Sequence, residues 1–266
     1  MTRTFFSLTA ADKDAGRKVR RVLEAEGWVV KAILNTHSHA DHTGGNRYFQ
    51  QNTGCKIFAP GIEACIANHP VLEPALLYGG APCKALRHKF LMAQESECHD
   101  ITSPDFPAEI EIIPLHGHIF DMVGYRTPDD IVFLADCVSS AATLEKYKIG
   151  YLYDVQAYLD TLDYVDTLTA KLFVPSHTEP TEDIHELTEI NRRSVLEVQD
   201  KILSICVEPM NFEAILRRIF TDYALTLNFE QYALIGSTLR SYLSWLLDSG
   251  KLAVSFEDNM LLWKTV

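Results

Sequence analysis

One short segment constrains this chain more than any other: Thr36-His37-Ser38-His39-Ala40-Asp41-His42. The chain has ten His in 266 residues, so three of them at fixed offsets around an aspartate form a pattern that chance does not explain. Imidazole nitrogens and carboxylate oxygens are ligands that suit Zn²⁺ and other first-row divalent ions. The segment directly follows the apolar run 29–34, which has the length and composition of a buried strand. The sequence therefore predicts a metal-binding loop at a strand end.

The spacing within this segment indicates two groups of ligands. His37 and His39 are two residues apart, and side chains at that spacing face the same way where a strand runs out. Asp41 and His42 come after the turn, and we expect them to face a second ion beside the first. One loop cannot close two metal sites, so further ligands must come from other strand ends. The candidates are His116, His118, Asp136 and His177.

Helical and strand-like segments alternate through the first two thirds of the chain, which predicts an α/β layered domain. Helices are predicted for 11–27, 46–51 and 61–68, and strands for 29–34, 56–59, 110–113, 131–134 and 172–174. The stretch 70–107 is less regular. Within it, 81–93 is either a helical insert over a site or an ordinary surface connection.

The pattern changes from residue 181 onward. Helices are predicted for 182–206, 212–223 and 229–247, followed by short strands at 251–256 and 260–263. Three helices and a terminal hairpin predict a winged-helix-like module, so we divide the chain into domains 1–180 and 181–266. The third helix carries an apolar stripe that predicts the core of this tail or a dimer face rather than a ligand groove: Leu239, Tyr242, Leu243, Trp245, Leu246 and Leu247.

Charge and composition narrow the function classes. The chain carries 24 Lys+Arg and 36 Asp+Glu, a net charge of −12 that repels phosphate backbones. Residues 181–266 hold 8 basic and 13 acidic residues, and Arg240 is the one basic residue of the third tail helix. A nucleic-acid reader is normally basic on the face that enters the groove, so a nucleic-acid partner is disfavoured.

The location of the protein can be predicted from what its sequence lacks. No apolar run approaches the ~18 residues that cross a bilayer, and the first fourteen residues hold no apolar core of a secretory signal. Six Cys without a CxxC pair predict reduced thiols rather than a disulfide framework. We therefore expect a cytoplasmic protein with no membrane partner.

Taken together, these segments resemble the metallo-β-lactamase-fold hydrolases, and within them the glyoxalase-II-like branch. The resemblance covers about residues 11–180. It rests on the motif at 36–42, on His118 seven residues before Tyr125, on Leu134-Ala135-Asp136 and on Pro175-Ser176-His177. The fold that it implies is an αββα sandwich.

The resemblance also implies two divalent metal ions, Zn²⁺ with Fe or Mn as alternatives. Carried over by position, His37, His39 and His118 would hold the first ion. Asp41, His42 and His177 would hold the second, and Asp136 would bridge the two. His118 is preferred to His116 because its distance to Tyr125 matches the family, and His116 would then orient a ligand from behind. Asp41 and Asp136 are the implied catalytic residues.

Three features depart from the family pattern. Asp121 stands where the family usually has Gly, and Ser176 and Thr178 flank His177 where the family commonly has Gly on both sides. The family also begins with two or three strands, and nothing in the first ten residues is predicted to supply them. We therefore expect a shortened start, a natural variant, or a sheet edge covered by a second copy in a homodimer.

The implied activity is hydrolysis of a small-molecule substrate, a thioester or another small ester, by a metal-bridging hydroxide. Asp136 stands where β-lactamases of this superfamily carry Cys, which disfavours antibiotic hydrolysis. The adjacent Cys137 is interpreted as a small buried residue. The alternatives are a phosphodiesterase or ribonuclease of the same fold, iron-dependent sulfur dioxygenation, and a non-catalytic partner-binding module.

Overall fold

The computed structural model of the chain describes residues 3–7 and 13–266, with side chains from residue 14 onward. Its helices are α1 (Lys13–Ala25), α2 (Ala40–Thr43), α3 (Asn46–Thr53), α4 (Gly61–Asn68), α5 (Leu72–Tyr78), α6 (Ala141–Tyr147), α7 (Val155–Val165), α8 (His185–Ile205), α9 (Phe212–Asp222) and α10 (Phe229–Asp248). Its strands are β1 (Arg3–Ser7), β2 (Trp28–Leu34), β3 (Lys56–Ala59), β4 (His99–Asp100), β5 (Glu111–Pro114), β6 (Val123–Arg126), β7 (Ile131–Ser139), β8 (Leu172–His177), β9 (Leu252–Glu257) and β10 (Met260–Thr265).

The chain forms two compact units. The first unit comprises Met1–Leu115 and Phe120–Ala135, and the second comprises His116–Ile119 and Asp136–Val266. The first unit therefore contains most of the predicted α/β layers, and the second contains the helical tail.

A parallel sheet of order β1-β2-β3-β4 lies in the first unit. Successive residues of its central strands face opposite layers, as the pleat requires. Ile33 and Ile57 pack with Phe49 of α3 on one face. Leu34 and Phe58 pack with Tyr125 of β6 on the other. Burial on both faces explains why these strands read as continuous apolar runs.

A second sheet has the strand order β5-β6-β7-β8. The pairs β5–β6 and β6–β7 are antiparallel, with Ile113 opposite Gly124 and Tyr125 opposite Phe133. Strand β7 passes from the first unit into the second at Asp136. Two sheets with helices packed on them agree with the predicted α/β sandwich.

Strand β1 corrects one expectation. The first ten residues were expected to supply no strand, yet Arg3–Ser7 pairs in parallel with β2, with Arg3 opposite Trp28. A five-residue strand without clear polar alternation carries little sequence signal, although Thr and Phe favour extended backbone. The edge of β2 is therefore paired within the chain. The predicted beginning of the first helix, at 11–12, lies outside the described residues.

The segment 81–93 is not the helical insert that was one of its two interpretations. It is irregular apart from a single 3₁₀ turn at Lys84–Leu86, and the fully buried Leu86 anchors it. Helix α5 just before it was missed because Pro74 reads as a helix breaker. Proline is tolerated in the first turn, where its missing N–H has no partner within the helix.

The tail follows the predicted order of three helices and an antiparallel hairpin, α8, α9, α10 and then β9–β10. Its side chains bond to earlier residues of the second unit. Asn191 accepts a hydrogen bond from the Ser139 N–H at 3.0 Å and donates one to the Ser139 carbonyl at 2.8 Å. The indole of Trp245 donates to the Gln156 side chain at 2.8 Å. The tail therefore packs on the α6–α7 part of its own unit, while the boundary at residue 180 stays a prediction.

The apolar stripe of α10 lies in the core of the second unit. Leu239, Tyr242, Leu243 and Leu246 are each at most 3% exposed. Of its two interpretations, tail core is therefore the one that these side chains fit.

The helices of the described residues do not suit a bilayer. None of them combines a membrane-spanning length with a sufficiently apolar composition. The two longest, α8 and α10, bury only part of their surface against the second unit and expose polar residues on the rest.

The cysteines generate a direct test of this packing. All six are free thiols, with Cys65 and Cys83 exposed and Cys55, Cys98, Cys137 and Cys206 buried. Burial raises the pKa of Cys98 to about 12 and that of Cys206 to about 11. Because the thiolate is the nucleophile, we expect iodoacetamide at pH 8 to label only Cys65 and Cys83 in the folded protein, and all six in urea. Mass spectrometry of the labelled peptides measures this, and rapid labelling of Cys98 in the folded protein would contradict it.

Candidate metal centre

The four predicted ligands of the histidine loop, residues 37–42, lie together in the first unit. β2 ends at Leu34, and Asp41 and His42 lie on the short helix α2. His37 Nε2 is 3.1 Å from His39 Nδ1, and the rings of His37 and His42 have centroids 4.1 Å apart. His42 Nε2 is 3.6 Å from an Asp41 carboxylate oxygen. The loop therefore gathers three imidazoles and one carboxylate in one place.

A buried polar network shapes the loop from below. Asn46 donates to the Asn35 side-chain oxygen at 2.7 Å, and the Asn35 amide donates to the His42 carbonyl at 3.3 Å. The Tyr125 hydroxyl donates to the Asn35 carbonyl at 2.8 Å. Burial raises the pKa of Tyr125 far above its ordinary value, which keeps this hydroxyl a donor. Sequence reasoning missed both asparagines, although Asn35 directly precedes the histidine motif and Asn46 follows it closely.

Glu63 of α4 is a buried carboxylate with two main-chain partners. It is fully buried, and it accepts hydrogen bonds from the Ser38 N–H at 2.9 Å and the Asp121 N–H at 3.0 Å. Burial raises its pKa, and these hydrogen bonds oppose that shift. Glu63 thus joins the histidine loop to the segment that leads into β6. In sequence it is an ordinary helical glutamate, so no pattern indicated this role.

A second buried carboxylate, Glu73 of α5, lies beneath α2. It accepts a hydrogen bond from the Ala40 N–H. Burial raises its pKa well above the ordinary value, and the negative charges of Asp41 and Glu63 raise it further. The loop therefore rests on two carboxylates that are removed from water.

Asp121, which departs from the family pattern, has a structural role. Its carboxylate accepts a hydrogen bond from the Ile62 N–H at 2.8 Å, in the first turn of α4, where unpaired N–H groups favour an anion. Gly61 beside it has φ +36°, and a Cβ there would lie 2.3 Å from an Asp121 oxygen. Asp121 therefore caps α4.

The second unit contains the other three predicted ligands, which form the aspartate triad of His118, Asp136 and His177. One oxygen of Asp136, Oδ2, lies 3.0 Å from His177 Nε2 and 3.6 Å from His118 Nε2. The sequence had indicated that Asp136 follows the end of its strand, but Asp136 lies in the interior of β7. His177 is the last residue of β8. A single carboxylate oxygen thus lies beside two imidazoles.

His118 is held in a defined orientation. Its Nδ1 lies 3.1 Å from the Tyr151 carbonyl, which can only accept, so Nδ1 carries a proton. In the neutral ring the lone pair is then on Nε2, the nitrogen that faces Asp136. The preceding Gly117 has φ +110°, and a Cβ there would lie 2.2 Å from the Tyr158 nitrogen. Only glycine fits this close approach.

Two neighbouring residues lie outside the triad. His116 is exposed, and its carbonyl accepts a hydrogen bond from Thr161 at 2.8 Å. Cys137 is fully buried, and burial raises its pKa to about 12, with Asp136 and Asp166 contributing further. A protonated thiol in this position agrees with its interpretation as a small buried residue.

The donors fit a divalent metal. A His/Asp cluster is present in the described residues, and its atoms are imidazole nitrogens and carboxylate oxygens. This is the ligand chemistry of Zn²⁺ and of other first-row divalent ions. The carbonyl of Tyr151 leaves His118 Nε2 as the ring atom with a lone pair, which is the state that a ligand needs.

Comparison with known families agrees with the fold. The model of the Metallo-beta-lactamase superfamily matches residues 8–177, more than half of the chain. The chain belongs to this superfamily.

Two solved structures share the fold. A beta-lactamase domain protein from Burkholderia ambifaria superposes with a TM-score of 0.68 at 15% identity, covering 99% of this chain and 82% of its own. A metallo-beta-lactamase family protein from Thermus thermophilus also superposes with a TM-score of 0.68, at 16% identity. The match covers 97% of this chain and 89% of the Thermus protein. Likeness at such identities concerns the fold alone.

The chain is also similar to curated hydroxyacylglutathione hydrolases. The protein from Maricaulis maris is 29% identical over 175 residues, 65% of this chain and 54% of the relative. The one from Pseudomonas entomophila is 45% identical over 118 residues, which are 43% of this chain and 36% of the relative. For Erythrobacter litoralis the match is 41% over 51 residues, 20% of that protein. The chain thus spans from about a fifth to about half of these relatives.

The role of Glu63 can be tested by substitution. Glu63→Ala leaves the buried Ser38 and Asp121 N–H groups without acceptors, so we expect a loss of about 2–4 kcal/mol in the free energy of unfolding. Glu63→Gln keeps one acceptor oxygen and should lose about half as much. Urea unfolding followed by circular dichroism measures both. The exposed Glu109→Ala is the matched control, expected within about 0.5 kcal/mol of the unsubstituted protein, and an equally small effect of Glu63→Ala would refute the role.

Proposed function

We propose that the chain is a metal-dependent hydrolase with two divalent ions, held jointly by the histidine loop and the aspartate triad. His37, His39 and His118 hold the first ion. Asp41, His42 and His177 hold the second, and Asp136 bridges them. The observation that carries the proposal is that Asp136 Oδ2 lies beside the Nε2 atoms of both His118 and His177, one assigned to each ion. Zn²⁺ suits this nitrogen and oxygen set, with Fe or Mn as alternatives.

When bound, such ions act as Lewis acids and lower the pKa of coordinated water. The residues of the chain hold the ligand groups in position and balance the positive charge of the ions. Asp136 and Asp41 supply negative charge, and the Tyr151 carbonyl and the Glu63 carboxylate orient the two groups from behind. The Asp41 side chain is 60% exposed, so its carboxylate can orient the attacking water and accept a proton from it.

The proposed substrate is a small molecule with an acyl group, a thioester or another small ester. The support is the similarity to hydroxyacylglutathione hydrolases, whose name describes a glutathione thioester substrate. The shared length is only part of those proteins, so the acyl class is proposed and the particular ester is open to assay.

We also propose that 181–266 forms a winged-helix-like module that packs within its own unit and does not read nucleic acid. The one basic residue of α10, Arg240, donates to the Gly236 carbonyl at 3.1 Å, and its guanidinium lies 3.9 Å from the centroid of the Phe212 ring. That cation is already engaged, and the module is acidic.

This proposal predicts no salt-sensitive nucleic-acid binding. We expect no rise in fluorescence anisotropy when labelled single-stranded RNA or duplex DNA is titrated with micromolar protein at about 50 mM salt, because few cations are available to replace counterions. Binding that weakened steeply by about 200 mM salt would instead favour the ribonuclease alternative.

Substitution of the bridging carboxylate tests the metal site. Asp136→Ala removes the negative charge between the two proposed ions, so we expect lower occupancy of at least one site and a loss of several orders of magnitude in hydrolysis. Asp41→Asn keeps an oxygen donor but loses the charge, so activity should fall further than metal content does. Inductively coupled plasma mass spectrometry measures the metal, and a panel of thioesters, lactones and phosphodiesters measures turnover.

The matched control is His185→Ala. His185 is exposed and pairs with Asp183 at 2.6 Å, outside the proposed ligand set. Its metal content and turnover should equal those of the unsubstituted protein. If Asp136→Ala kept two equivalents of metal and near-normal turnover, Asp136 would not be the bridging ligand.

A further inference from the structure

A cavity of about 370 Å³ lies within the second unit, beside the aspartate triad. His118, Asp136 and His177 form part of its lining. Much of the remaining wall is apolar and comes from the α6–α7 connection, α8 and α10: Ile149, Val195, Val198, Leu234, Ile235 and Tyr242. Its volume falls at the small end of the ~300–1,000 Å³ that ligand pockets occupy.

The charges of the lining restrict what the cavity can hold. Among its lining residues, all of which the structure describes, Lys148 is the single Lys or Arg. The Lys148 ammonium lies 2.5 Å from a Glu145 carboxylate oxygen, so its charge is already paired. A glutathione group carries two carboxylates, and burying them without cations is costly. The cavity is therefore poorly suited to the glutathione half of a thioester.

Several polar groups of the wall are already hydrogen-bonded. Asn191 exchanges two hydrogen bonds with the main chain of Ser139. The Thr143 and Ser140 hydroxyls lie 2.9 Å apart. A ligand that binds against this wall therefore gains free energy mainly because apolar surface is removed from water.

A second, much smaller cavity lies next to the apolar part of this wall. It is lined by six apolar or aromatic residues, and four of them, Ile149, Val198, Ile235 and Tyr242, also line the larger cavity. The larger cavity is thus backed by the core of the tail, so its depth is limited by packed side chains of α8 and α10.

We propose that this cavity receives the acyl chain of the substrate, and that the enzyme prefers medium-chain acyl thioesters or esters. The inference rests on the proposed hydrolase function. In the reaction, the oxygen of water bonds to the carbonyl carbon, the carbon–sulfur bond breaks, and the thiol leaves with a proton. The carbonyl lies at the triad while the alkyl chain extends between α8 and α10.

The experiment compares acyl-N-acetylcysteamine thioesters, which carry no glutathione. From acetyl through butanoyl and hexanoyl to octanoyl, we expect kcat/KM of the metal-loaded protein to rise about three- to fourfold per methylene. The rise should stop once the cavity is filled. If the protein hydrolyses the acetyl thioester but kcat/KM does not rise with chain length, the inference is overturned and the proposed function stays intact. A higher kcat/KM for S-lactoylglutathione than for every acyl thioester would have the same consequence.

Matched variants on α8 locate the effect. Ser194 is half-buried and lines the cavity, whereas Leu196, two residues further, is 38% exposed and does not. Ser194→Phe should lower the octanoyl-to-acetyl ratio of kcat/KM at least tenfold, and Leu196→Phe should leave it unchanged. In the opposite direction, Ile235→Ala enlarges the cavity and should move the optimum to longer chains. An unchanged ratio in Ser194→Phe would refute the assignment.

A protein that retains its metal but hydrolyses no ester would refute the proposed function alone. Isothermal titration of 1-octanol, which needs no catalysis, then tests the cavity. Binding to the unsubstituted protein and to Leu196→Phe, with at least a tenfold loss in Ser194→Phe, supports an apolar chain site. Absence of binding to the unsubstituted protein overturns it.

Discussion

The buried carboxylate of Glu63 is the interaction on which the histidine loop depends. A carboxylate with no access to water is stable only if its oxygens accept hydrogen bonds, and Glu63 takes them from the main-chain N–H groups of Ser38 and Asp121. It thereby restrains the histidine loop at Ser38 and, through Asp121, the cap of α4. Asn35 and Asn46 satisfy further buried groups beneath the loop. These hydrogen bonds hold the main chain of the loop that carries the imidazoles.

In the second unit a buried polar group is also fixed by a hydrogen bond, and the acceptor there is a main-chain carbonyl instead of a carboxylate. The Tyr151 carbonyl sets the proton on His118, and Gly117 lets the loop approach Tyr158 more closely than any side chain would permit. The segment 151–158 also forms part of the cavity wall. The element that orients a proposed ligand therefore also shapes the space proposed for the acyl chain, so chemistry and substrate selection are linked through one short piece of backbone.

Much of the site could be predicted because its chemistry is local in sequence. Three histidines and an aspartate within six residues are typical of a metal-binding loop, and the strand ends marked His118, Asp136 and His177 as candidates. The short N-terminal strand β1 and the capping role of Asp121 were missed for a common reason. Each depends on a partner distant in sequence, β2 for Arg3–Ser7 and α4 for Asp121, so neither produces a periodic or motif signal. The helix that was one interpretation of 81–93 is absent, and the segment has a single 3₁₀ turn that ends at the buried Leu86.

The sequence by itself determined the donor chemistry, the α/β class and the order of the tail elements, because these follow from residue types and from periodicity within short segments. The structure places His118, which the family resemblance had preferred to His116, beside Asp136. Only the tertiary structure decided that Glu63 supports the histidine loop. It alone also decided that α8 and α10 enclose an apolar cavity next to the triad. The physical reason is that burial, hydrogen-bond satisfaction and cavity shape are properties of groups brought together from distant positions, and no local pattern records which groups will meet.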